Sequence, residues 1–185
     1  PPTPPHPPPP PPTLFPYTTL FRSQMKKELT FHTLDMKTEY ADALFAGGAT
    51  QQAEDVYTDI KKSYLQIVAQ PDADGFFKER AARFLLSCPS RSHRDPQQAL
   101  QFAASAVEHS PEPSAHYMMT LAMAHHATGK TELAIKRQQQ ALEQLTENSF
   151  WADRFRATLN TMQSAAGKQQ QPSESSRYVT CNGSC

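Results

Sequence analysis

The chain has no excess of charge of either sign: 18 Lys and Arg face 18 Asp and Glu among 185 residues. A protein that binds nucleic acid by displacing counterions needs a basic surplus, so nucleic acid is set aside as a partner. Long apolar runs are missing as well. The longest, Tyr117 to Ala124, covers about eight residues, against the roughly 20 that cross a bilayer, so no membrane partner is expected. No basic stretch leads into an apolar one near the start, so no secretory leader is read. Cysteine is scarce. Cys88, Cys181 and Cys185 make an odd set with two members in a polar tail, which is a poor disulfide framework. The cytoplasm is the default location on these grounds. A glycine-rich phosphate loop, a GxSxG elbow and an HExxH pair are also missing, and no cofactor is implied.

The two ends of the chain are set apart by composition. Pro1 to Pro12 holds ten prolines, a polyproline II pattern at face value. The eight residues that follow from Pro16 to Ser23 resemble the in-frame translation of a sequencing-adapter oligonucleotide. Residues 1–23 are therefore read as foreign to the fold, and 1–33 as disordered, with Met25 a candidate start. At the far end, residues 166–185 carry glutamines, serines and Cys181-Asn182-Gly183-Ser184-Cys185. Too few apolar side chains are present there to offset the entropy of ordering, and a disordered tail is expected.

Between these ends, 34–165 reads as one all-helical domain. Residues 34–46, 50–69, 75–88, 96–109, 114–128, 131–145 and 149–165 are rich in good helix formers. Breakers separate them: Gly47-Gly48, Pro71 to Gly75, Pro89, Pro111 with Pro113, and Gly129. Asp95 before Pro96 is an N-cap followed by proline at the first helical position. Gly129 stands where a helix ends on a left-handed residue, and Thr131 is a candidate cap for the helix after it. In 149–165, Trp151, Phe155, Leu159 and Met162 fall on one stripe. That is the pattern of a closing helix.

The middle also repeats. Ala99 and Ala106 lie seven apart, as do Ala134 and Ala141, and the pairs are offset by 35. Leu86 precedes Ala99 by the same interval that Leu121 precedes Ala134. Small residues every two turns let helices approach closely, and a leucine from the neighbouring helix fills the space. On these residues Ser114–Glu147 resembles a tetratricopeptide repeat, with Leu121, Ala122, Gly129, Ala134 and Ala141 in place. Residues 80–113 resemble the repeat before it, through Leu86, Ala99, Ala106 and Pro111. Residues 34–66 match less fully, through Gly48, Ala53 and Tyr57. The run Leu85-Leu86-Ser87-Cys88-Pro89 with Arg94-Asp95-Pro96 and Ala99-Leu100 is similar to a phrase found in bacterial members.

The resemblance implies an α-solenoid of about three helical hairpins plus a capping helix. It also implies a protein–protein interaction module, an adaptor or scaffold that is not an enzyme and binds a peptide or partner helix in a concave groove. By position the groove would be lined by Phe84, Cys88, His116, Met119, Met123, His126, Trp151 and Arg154. The lysine, arginine and asparagine of the carboxylate-clamping members are missing from the central repeat, so an apolar or helical ligand is expected instead. Two other functions stay open. One is the repeat module of a larger enzyme or signalling protein. The other is a metal-dependent enzyme using His116, His125 and His126.

Overall fold

The computed structural model describes residues 15–146 and 149–170. The described residues form seven α-helices and one short 3-10 turn, with no strand: α1 Phe15–Ala46, α2 Thr50–Val68, α3 Gly75–Ser87, the 3-10 turn Arg91–His93, α4 Pro96–Glu108, α5 Ala115–Ala127, α6 Thr131–Glu143 and α7 Ala152–Gln170. Each helix packs on the next in the chain, and α3 also packs on α5 across α4. Among the described residues no helix is long and apolar enough to cross a membrane.

The helix boundaries have local causes. Asp95 Oδ1 accepts from the Gln98 amide at 2.9 Å, with Pro96 at the first position of α4. Asp74 does the same for Phe77 at 3.1 Å at the start of α3, and Ser114 for Tyr117 at 3.4 Å at the start of α5. These side chains satisfy amide donors that the first turn leaves free. Gly48 and Gly129 adopt φ of +83° and +80°, a conformation that side chains with a Cβ resist. Thr131 is the first residue of α6 rather than its cap. Lys130 holds the cap position, without a side-chain bond.

Three expectations need correcting or sharpening. First, the opening helix does not wait for residue 34 but runs from Phe15. Its middle docks on α3: the Phe31 and Phe76 rings meet edge-on at 5.1 Å. The Arg80 guanidinium lies over both rings, and Lys27 pairs with Asp74. Residues 24–33 are polar with scattered apolar positions, which hid a helix whose contacts are long-range. Second, α7 continues past 165 to Gln170, because nothing between Trp151 and Gln170 breaks a helix; Gly167 alone only weakens it. The proline run and residues 171–185, including Cys181 and Cys185, lie outside the described residues. Third, Leu86 packs half-buried against the core, and its neighbour Leu85, at 2% exposure, is the one fully inside it.

Gly75 begins α3, as the segment 75–88 predicts. A Cβ there would lie 3.1 Å from the Ala106 carbonyl oxygen, the Ser110 hydroxyl and the Tyr117 ring. The missing side chain lets the start of α3 close onto the end of α4 and the start of α5. The loop before α4 has no glycine at all. Arg94 Nε donates to the Cys88 carbonyl at 2.6 Å and the Asp95 amide to the Leu85 carbonyl at 3.1 Å. His93 Nε2 and Ser92 both meet the Glu54 carboxylate, at 2.8 and 2.9 Å, which ties the loop to α2. Side-chain bonds thus hold a turn that elsewhere relies on a left-handed residue.

Small residues sit at the helix crossings. Ala53, Ala99, Ala106, Ala122, Ala134 and Ala141 are all at 0–1% exposure. Interiors packed at crystal density have no room for added methylenes. Ala134→Leu is therefore expected to cost about 1–3 kcal/mol, read as a lower urea midpoint with an unchanged slope. An unaltered midpoint would show that α6 is not tightly packed at that crossing.

Candidate functional site

A cavity lined largely by polar side chains lies between α1 and α3, over α2. It has a volume of about 100 Å³. Asp35, Thr38 and Asp42 line it from α1, Arg80, Arg83 and Ser87 from α3, and Tyr57, Tyr64 and Phe84 form its aromatic floor. The helical period makes this arrangement. Asp35, Thr38 and Asp42 are spaced three and four apart, so they share one face of α1, and Arg80 and Arg83 share one face of α3.

The floor is rigid. Tyr57 is fully buried, and its hydroxyl donates to Asp42 Oδ1 at 2.6 Å. Burial, helped by that carboxylate, holds its phenol far above the usual tyrosine range. Burial pushes Tyr64 up to about 12. Phe84 packs on both tyrosine rings, at 6.3 and 5.8 Å between centroids. Cys88 lies beside them, and burial pushes its thiol up to about 11. So raised a value disfavours the nucleophilic thiolate.

One wall is held by a buried acid. Glu79 is 3% exposed. Its Oε1 accepts from Arg83 Nη2 at 2.6 Å and from the Thr120 hydroxyl of α5 at 2.7 Å. Arg80 Nε approaches its other oxygen at 3.6 Å, too far for a hydrogen bond. The Nε groups of Arg80 and Arg83 are buried without an acceptor.

The eight residues expected to line a groove divide into separate sets. Phe84 and Cys88 are core side chains that reach only the floor of this cavity, and Met119 is interior, at 3% exposure. Met123 is half-buried and packs against the core around α5, α6 and α7. His126 is half-buried near the end of α5, with its Nδ1 buried and unpartnered. His116, Trp151 and Arg154 come together at the start of α5. The His116 ring lies edge-on to Trp151 at 4.9 Å and to Phe155 at 5.5 Å, and Arg154 lies over Trp151. The alternate helices α3 and α5 pack on each other. The apolar members, however, are consumed by packing, because a small domain has few large apolar side chains to spare. Among the described residues no group of three or more His, Cys, Asp or Glu is placed to hold a metal ion. His116, His125 and His126 therefore do not make a ligand set.

Desolvation lowers the His116 pKa below its ordinary value, and the Arg83 cation lowers it further. The unfolded chain then binds a proton more readily than the folded one. The resulting stability is fully present above the unfolded histidine value of about 6.5 and is lost as pH falls from there through the lower folded value. His125 is lowered likewise, by desolvation and then Lys130. His116→Phe should flatten the fall in urea midpoint between about pH 7 and 5. An identical pH profile in that variant would remove His116 from the linkage.

Asp35, Asp42, Arg80, Arg83 and Glu79 escaped the sequence reading. The signals were present: a polar face on a helix taken to begin at 34, and a Glu79–Arg83 pair one turn apart. Neither signal says which charges are buried or which helices face each other. No family model, no curated protein and no solved structure matches the chain.

Proposed function

We propose that this chain is a binding module of the tetratricopeptide kind, an adaptor or scaffold. On this reading it holds a peptide or partner helix on the face shared by α1, α3 and α5, and its role is binding rather than catalysis. The observation that carries the reading is the packing of α3 on α5 across α4. It brings alternate helices side by side, the arrangement from which stacked hairpins build an extended binding surface. The buried alanines at the crossings and the positive-φ glycines after α1 and α5 support the same reading.

The ligand face differs from the methionine-lined groove inferred from sequence. Its accessible part combines the charged cavity between α1 and α3 with the aromatic pair His116 and Trp151. A photo-crosslinking residue at Ser87, exposed at the rim of the cavity, should yield a discrete adduct with a protein from the source cell. The same residue at Gln101, exposed on α4, should not. Equal labelling from both sites, or none from Ser87, would sink the adaptor reading.

A further inference from the structure

Two carboxylates and two guanidinium groups line the cavity between α1 and α3, yet no ion pair within 4.0 Å joins the two sets. Asp35 is exposed at its rim. Asp42 uses one oxygen for the Tyr57 hydroxyl. Arg80 is held by the faces of Phe31 and Phe76, its guanidinium 4.7 and 5.3 Å from the two ring centroids. Arg83 is anchored by Glu79 through Nη2, while its Nε and that of Arg80 are buried without an acceptor. Opposite charges on facing helices ordinarily close on each other when their side chains are free to move. Here the arginines are fixed by aromatic faces and by a buried acid, so the charges stay apart across an open space. That space is negative toward α1, positive toward α3 and aromatic beneath.

We infer that this cavity is a subsite for a peptide segment presenting a cationic and an acidic side chain together. The ammonium or guanidinium group of the ligand meets Asp35 and Asp42. Its carboxylate meets the guanidinium groups of Arg80 and Arg83, whose side chains keep 30% and 26% exposure. The aliphatic stems lie over Tyr64 and Phe84. A volume of about 100 Å³ suits two side-chain heads and not a folded element. A singly charged ligand would leave one wall unneutralised, and so the cavity selects for the pair. This subsite rests on the adaptor reading and specifies what the bound peptide carries.

The test is a titration of the isotope-labelled full chain, followed by nuclear magnetic resonance. The probe is the blocked dipeptide N-acetyl-glutamyl-lysine amide. Two controls carry glutamine for the glutamate or norleucine for the lysine. The expected result is movement of the Arg80 and Arg83 Nε–H signals and of the Asp35 amide, with each control binding about tenfold more weakly. Asp35→Asn, an exposed and nearly isosteric change, should erase the preference for lysine over norleucine while keeping the preference for glutamate. Controls that bind as tightly as the probe, or signals that do not move, overturn the subsite. If the signals stay still while the Ser87 crosslink persists, the subsite fails and the adaptor reading stands. If the dipeptide binds as described but no crosslink forms, the adaptor reading is the one that fails.

Discussion

Phe155→Ala is expected to destabilise the fold by about 3–4 kcal/mol, the cost of deleting a large buried ring and leaving part of its volume empty. Phe155 is fully buried on α7. It packs with Ala115, Met118 and Met119 of α5 and Ala141 of α6, and its ring meets that of His116. Its carbonyl accepts from the buried Gln138 side chain at 2.9 Å. That bond depends on where α7 sits, so the mutation threatens a polar contact as well as a packing one. The flexible Met118 and Met119 can refill part of the space, which keeps the cost below the top of the range. For a chain of this size the melting temperature should fall by roughly 10 °C. A fall of only a degree or two would mean that α7 is not docked on α5 and α6. Trp151→Ala is the natural control. Trp151 is 37% exposed at the edge of the same cluster, and its loss should cost clearly less.

Glu79→Ala carries the second large effect. Removing one partner of a buried charged network leaves the others uncompensated, and such changes cost several kcal/mol. Arg83 and Arg80 keep side-chain exposures of 26% and 30%, so both can recover some water. That places the expected loss near 3 kcal/mol. Glu79→Gln separates charge from hydrogen bonding. The amide oxygen still accepts from Thr120 and Arg83, and the loss should be only about 1 kcal/mol. Equal losses in the two variants would show that charge, rather than the bond to Thr120, dominates. The alanine variant should also free the Arg83 guanidinium, and with it the positive wall of the cavity.

Much of the helical order was legible because its causes are local. The boundaries of α2 to α6 follow from breakers and caps: Gly48, Asp95 before Pro96 and Gly129 act within one turn of where they stand. The alanines at 99, 106, 134 and 141 marked where helices come close, since only a small side chain tolerates that approach. The first and last helices extend beyond what composition predicts, for a different reason. Nothing in 24–33 shows that Lys27 and Phe31 meet Asp74 and Phe76. Composition weighs a segment alone, whereas these residues gain their order from a helix more than forty positions away.

The site divides along the same line. Sequence by itself determined that the chain is helical, where most helices stop, which faces are small and apolar, and that no familiar catalytic motif is present. Tertiary structure alone decided which side chains line the cavity and which enter the core. Phe84, Cys88 and Met119 lie on helix faces suited to a groove, and burial took them into the core. Asp35, Asp42, Arg80 and Arg83 look like ordinary solvated charges in the sequence. Their standing opposite one another depends on how α1 and α3 pack, and their staying apart depends on Phe31, Phe76 and Glu79. Helix formation is governed by neighbours a few residues away, but the chemistry of a cavity is governed by groups that only packing brings together.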